Sequence, residues 1–144
     1  MGRAVWVQGY FSPPGAKPTP CTVKISLDVY GLHENLTVEG EGAYRITVPF
    51  RPIQGLAHRA RQEAMSRERA LEFSTELEGS TEGWRRVEVV AWIRIGKGFE
   101  MLTLEQGRRG QISLPYHTVE RLVQVQRRQT GVKLHLRLGQ VKNI

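Results

Sequence analysis

Sliding the sequence along itself by 66 residues, the distance from Leu36 to Leu102, lays Leu36-Thr37-Val38-Glu39 on Leu102-Thr103-Leu104-Glu105. With no gap, the same shift lays Ile46-Thr47-Val48-Pro49-Phe50 on Ile112-Ser113-Leu114-Pro115-Tyr116. It pairs Leu56 with Leu122, Arg61 with Arg127 and Glu34 with Glu100. Backwards it pairs Val23, Ile25, Leu27 and Val29 with Val89, Ala91, Ile93 and Ile95, and Arg3-Ala4-Val5 with Arg69-Ala70-Leu71. One shift that matches strand cores, turn lengths and a Pro-aromatic pair marks a tandem duplication. The 144 residues therefore read as a single domain of two repeats, 3–66 and 69–131, with 132–144 as a closing strand and tail.

Within each repeat the apolar residues alternate, as they do in strands with one buried face. The alternation predicts strands at 3–11, 21–30, 35–40 and 44–50, then at 69–77, 85–96, 99–105 and 110–115. Breakers separate them: Pro13-Pro14-Gly15, Gly31, Gly40-Glu41-Gly42, Gly79 to Gly83, Gly96-Lys97-Gly98 and Gln106-Gly107. After each Pro-aromatic pair the period becomes helical, with one stripe through Ile53, Leu56, Ala57, Ala60 and Ala64 and another from Val119 through Leu122, Val123 and Val125. Pro52 suits a first helical turn, Thr118 a cap, and Gly131 a helix end. Val132, Leu134, Leu136 and Leu138 then alternate with Lys133, His135 and Arg137, which predicts a last strand over 132–138. The expected fold class is α+β: two tandem β-β-β-β-α repeats, two antiparallel sheets with the helices packed between them or on one face, and a C-terminal strand.

Composition removes several functions. The longest apolar run, Val89-Val90-Ala91-Trp92-Ile93, is far below the roughly 20 residues of a membrane helix. No signal-like apolar segment opens the sequence, so a soluble, cytoplasmic protein is expected, with association with a nucleoid open. A single cysteine, Cys21, leaves no disulfide and no cysteine zinc site within one chain. His33, His58, His117 and His135 stand on separate elements, Asp28 is the only aspartate, and no phosphate loop or nucleophile elbow is present. Neither enzyme activity, nor a metal, nor a cofactor is expected.

What remains is charge and one open face. Lys and Arg number 21 against 14 acids, giving +7, and sixteen of the 21 are Arg. Arginine forks onto phosphate and stacks on bases. Residues pointing away from the buried face include Trp6, Tyr10, Lys24, Tyr30 and Arg45 in the first repeat and Arg86, Trp92, Arg94 and Phe99 in the second. Arg109, beside Arg108 in a hairpin turn, adds a phosphate-contact candidate. Aromatics interleaved with cations on an open sheet suit a single strand, whose bases stack and whose phosphates pair. The same aromatics also fit a contact between copies of the chain, and Asp28, Glu39, Glu72, Glu88 and Glu105 on that face oppose a phosphate backbone.

The duplicated β4α pattern over residues 3–129, and above all the run Arg86–Arg128 in which Gln111-Ile112-Ser113-Leu114-Pro115 enters a helix at Thr118, resembles the Whirly and Pur superfamily of single-stranded nucleic-acid-binding proteins. That group also holds guide-RNA-binding mitochondrial proteins and some phage single-strand binders. The resemblance implies two sheets packed through their helices, assembly into homo-oligomers, and bases held against exposed sheet faces largely without sequence preference. The resulting expectation is a non-enzymatic binder of single-stranded DNA, or of RNA, acting through Trp6, Tyr10, Lys24, Tyr30, Arg45, Arg86, Trp92, Arg94, Phe99 and Arg109. The alternative is a self-assembling scaffold or protein-interaction module that uses the same face.

Overall fold

The structure, a computed structural model, describes residues 4–40, 45–81, 83 and 85–142, with only the backbone at 108 and 130–142. Eight strands appear in two runs of four: β1 (Ala4–Ser12), β2 (Thr19–Tyr30), β3 (His33–Gly40) and β4 (Arg45–Pro49), then β5 (Leu71–Ser80), β6 (Arg86–Gly96), β7 (Phe99–Gln106) and β8 (Gly110–Pro115). Helix α1 (Arg51–Arg67) follows the first run and α2 (Tyr116–Lys142) the second. Alternation thus locates every strand to within a few residues. Of the expected breakers, Glu41, Gly42 and Glu82 lie outside the described residues.

The assembly of these elements corrects the expected fold class. All eight strands join in sequence order as one closed antiparallel barrel. Helices do not lie between two sheets; the apolar faces of both repeats belong to one core. Val23, Ile25, Leu27, Leu36, Val38 and Val48 form one continuous core with Ala91, Ile93, Leu102, Leu104, Ile112 and Leu114. Closure removes the exposed edges that two open sheets would leave.

The predicted strand at 132–138 is also overturned, because those residues continue α2, and Gly131 lies within that helix instead of ending it. Extending a formed helix costs little, and a glycine penalises it by only about 1 kcal/mol. A closed barrel offers a ninth strand no edge to pair with. Thr118 does not cap the helix either: its hydroxyl donates to the Pro115 carbonyl at 2.6 Å.

The barrel closes at two seams. At one, Tyr10, Phe11 and Ser12 of β1 pair with Ser113, Ile112 and Gln111 of β8. At the other, Thr47 of β4 pairs with Ser80 of β5. Each seam crosses at a glycine, since a Cβ on Gly9 would collide with the Ser113 carbonyl oxygen and one on Gly79 would sit 2.8 Å from that of Thr47. Gly9, opposite Cys21, and Gly79, opposite Val87, are therefore equivalent positions. The match of Arg3-Ala4-Val5 to Arg69-Ala70-Leu71 misplaces the first strand, because the β5–β6 hairpin is shorter than the β1–β2 hairpin. From β2 onward the 66-residue shift holds in the registers themselves, Leu27↔Leu36 matching Ile93↔Leu102 and Leu36↔Val48 matching Leu102↔Leu114.

Both helices cross to the other repeat. Helix α1 packs against β5 and β6 of the second, while α2 reaches β2 of the first as well as β7 of its own. Their buried stripes, Ile53, Leu56 and Ala57 on α1 and Val119, Leu122 and Val123 on α2, are equivalent residues that enter the common core. Polar pairs repeat the exchange. Arg61 on α1 forks onto Glu100 of β7 and Glu120 of α2. Its counterpart Arg127 on α2 forks onto Glu34 of β3 and bonds Gln54 of α1 at 2.8 Å. Arg61 also lies over the Tyr116 ring and Arg127 over that of Phe50.

Candidate nucleic-acid interface

On a barrel, the residues turned away from the core form the continuous surface that strands can offer to a ligand. Cross-strand register therefore decides which of the predicted residues meet. Trp6 of β1 stands opposite Lys24 of β2, Lys24 opposite Glu39 of β3, and Glu39 opposite Arg45 of β4. These four residues make one row across the outer face of the first repeat. Trp6 is 62% exposed, and the Lys24 ammonium lies 5.6 Å from its ring centroid. Glu39 is 4.0 Å from the same ammonium and draws it toward the middle of the row. Beside Trp6, Lys24 and Glu39, residues Thr22 and Gly40 complete a shallow groove of ≈ 400 Å³.

Tyr10 lies on the same face as Trp6, about 14 Å further along β1. It is 46% exposed, with Gln8 between the two aromatics. A second row crosses the seam from Tyr10 through Ser113 and Thr103 to Trp92. Trp92 is half-buried, and its indole N–H donates to the Glu105 carboxylate at 3.0 Å. Thr103 and Ser113 share a 2.8 Å hydrogen bond, just as Thr37 and Thr47 do in the first repeat.

The remaining predicted residues stand apart from this group. Tyr30, 70% exposed, closes the far end of β2 opposite His33. Arg94 lies over the Phe99 ring at 5.7 Å, and Phe99 lines a groove of ≈ 850 Å³ with Met65, Ile95 and Lys97. Arg86 is exposed but pairs with Glu78 at 3.3 Å. Arg109 is exposed in the short 3-10 turn Gly107–Arg109, whereas the Arg108 side chain lies outside the described residues. The structure thus sets Trp6, Lys24 and Arg45 in one row with Tyr10 further along the same face, places Trp92 three strands from Tyr10 across the seam, and leaves Tyr30, Arg86, Arg94, Phe99 and Arg109 on other parts of the barrel.

Gln8 and Thr22 belong to the gathered group, yet the sequence alone does not single them out. Both have the parity that points outward on their strands, so alternation contains the signal, but neither aromatic nor cationic character draws attention to them. The helix residue Arg61, by contrast, is held by two carboxylates and is not available to phosphate. Among the described residues, no three His, Cys, Asp or Glu side chains are grouped to hold a metal ion, and no helix is long and apolar enough to cross a membrane. Comparison with protein-family models, with curated proteins and with solved structures gives no match.

Proposed function

We propose that the chain binds single-stranded nucleic acid, DNA in preference to RNA, without catalysis and with little regard to sequence. The row Trp6–Lys24–Glu39–Arg45 carries this reading. An indole left mostly in solvent costs free energy unless something covers it, and a base covers it by stacking, worth about 1–3 kcal/mol. Lys24 and Arg45 stand on either side of Glu39 to meet the phosphates, and Tyr10 offers a second stacking ring down the strand. Trp92 extends the path across the seam. The resemblance to Whirly and Pur proteins, in the order of strands and helix within each repeat, supports the same class of ligand.

Fluorescence-anisotropy titration of labelled single-stranded DNA, single-stranded RNA and duplex at two salt concentrations tests it. Binding to single strands that weakens as salt rises is the expected result, since neutralised phosphates release counterions. Absence of binding to all three at low salt overturns the reading. The exposed Trp6 and Tyr10, outward on the same strand, favour a second reading, a face shared between copies of the chain. An apolar contact of that kind holds or tightens with salt, so the same titration, followed by light scattering, separates the two.

A further inference from the structure

Internal duplication gives this barrel two outer faces built on one plan, and the second can be compared with the first residue by residue. The counterpart of the row Trp6–Lys24–Glu39–Arg45 is Glu76–Val90–Glu105–Gln111, joined by the same strand-to-strand register. Where the first row has an indole the second has a carboxylate, and where the first has an ammonium and a guanidinium the second has an isopropyl group and an amide. The next outward pair along the strands, Gln8 opposite Thr22, has as its counterpart Glu78 opposite Glu88.

Each face also has its groove at the same place. The first is lined by Trp6, Thr22 and Lys24, and the second, of ≈ 430 Å³, by the equivalent Glu76, Glu88 and Val90 together with Glu78 and Arg86. Glu78 and Glu88 stand directly opposite each other on neighbouring strands, an arrangement that disfavours the sheet. Arg86 pairs with one of them, and the groove keeps a net negative charge. Like charges set against a polyanion cost affinity and help to exclude it.

We infer that the two-fold plan carries one nucleic-acid face and not two: the first repeat holds the strand, and the anionic face of the second repeat keeps phosphate off the equivalent groove, so that each chain binds one strand. This inference rests on the single-strand reading above and specifies where on the barrel that ligand lies. It also ranks the two outward tryptophans among the described residues. Trp6 stands mostly in solvent within the competent groove, while Trp92 belongs to the second repeat and is tied to Glu105.

The test is a titration of the whole chain with a labelled oligothymidylate of about eight nucleotides, at protein concentrations well above the dissociation constant, so that the break point reads stoichiometry. One oligonucleotide per chain is expected. Trp6→Glu with Lys24→Val and Arg45→Gln, which writes the second row onto the first, should lower affinity at least roughly 50-fold with an unchanged circular dichroism spectrum. Glu76→Gln with Glu78→Gln and Glu88→Gln should leave affinity unchanged or tighten it a few-fold. Two oligonucleotides per chain, survival of binding in the folded first-row variant, or a loss of about tenfold in the folded glutamine variant would each overturn the inference while leaving single-strand binding itself intact. If the first-row variant loses its fold, Trp6→Ala alone, at a residue mostly in solvent, takes its place: a loss of about tenfold supports the inference and an unchanged affinity overturns it. No binding by the unaltered chain would instead remove the single-strand reading and this inference with it.

Discussion

Arg61 and Glu100 join the helix of one repeat to the sheet of the other, with Nη2 2.8 Å from Oε1, and the pair recurs with the roles of the repeats reversed, as Arg127 and Glu34. Each arginine then finds a second partner on the other helix, Glu120 for Arg61 and the equivalent Gln54 for Arg127. The two clamps are the polar counterpart of the exchanged helices and hold the two halves of the barrel in register.

Removing a clamp residue should be costly in proportion to what it strands. The Glu34 side chain is only 5% exposed, and Arg127 donates to both of its oxygens, whereas Arg51 lies 3.6 Å away and is mostly in solvent. Arg127→Ala should therefore destabilise the chain by about 1.5–3 kcal/mol, the usual worth of hydrogen bonds to a charged group. Arg51→Ala should cost under about 1 kcal/mol. Urea denaturation of both variants checks the order, and equal losses would contradict it.

The clamps also set a response to acid. Hydrogen bonds from Arg127 hold the Glu34 carboxyl below its ordinary 4.5, and those from Arg61 do the same for Glu100, in each case against burial, which pushes upward. A carboxyl that titrates lower when folded than when unfolded stabilises fully above its unfolded value and loses that contribution as pH falls through the folded one. Stability should be flat in this respect above about pH 5 and fall below 4.5, where protons bind the unfolded chain first. Glu34→Gln should flatten the fall, as thermal melts taken from roughly pH 3 to 7 would reveal.

Position 116 invites a stabilising change. Tyr116 is fully buried, and its hydroxyl has no hydrogen-bond partner among the described residues, while the equivalent residue in the first repeat is Phe50. Burial also raises the Tyr116 pKa, since a charged phenolate has no place there. Tyr116→Phe keeps the ring beneath Arg61 and removes an unpaired polar atom, so it should leave stability unchanged or raise it by about 1–2 kcal/mol. A loss of more than about 1 kcal/mol would reveal a partner for that hydroxyl.

Two glycines should respond in opposite senses. At Gly9 a methyl group meets the Ser113 carbonyl and Val23 in the seam, so Gly9→Ala should cost about 1–3 kcal/mol or more. At Gly55, exposed inside α1, a methyl group meets nothing within 4 Å, and Gly55→Ala should stabilise by about 0.5–1 kcal/mol. Thermal midpoints that move the same way in both variants would refute this account of the seam.

Alternation makes the eight strands legible, and the 66-residue shift makes the duplication legible, because both are written in consecutive side chains. Closure is not written there. The buried parity of Val23, Ile25 and Leu27 states that these residues need cover, and a helix stripe and a facing sheet satisfy it equally. The exchange of helices is hidden for the same reason: Ile53 and Leu56 would read alike on either repeat. The shift misplaces the first strand because Arg3-Ala4-Val5 and Arg69-Ala70-Leu71 match in type, while the seam glycines that fix the true alignment look unlike in sequence, Gly79 as a breaker and Gly9 as one residue of a strand. The outward face of β1 and β2 is readable from parity. Which of its residues meet depends on hairpin lengths, and those separate Tyr30, Arg94 and Arg109 from Trp6.

The seam between β1 and β8 ties residues 10–12 to residues 111–113, and α1 packs on strands of the second repeat. On a ribosome, the first repeat therefore emerges with its sheet uncovered and with α1 waiting for β5 and β6, strands still to be synthesised. The nascent chain cannot bury its apolar surface in the native way until nearly all of it is out. Hairpins between neighbouring strands can form as they emerge, but closing the barrel waits for distant contacts whose loop-closure cost slows that step, and the half-made chain is the form most in need of a chaperone.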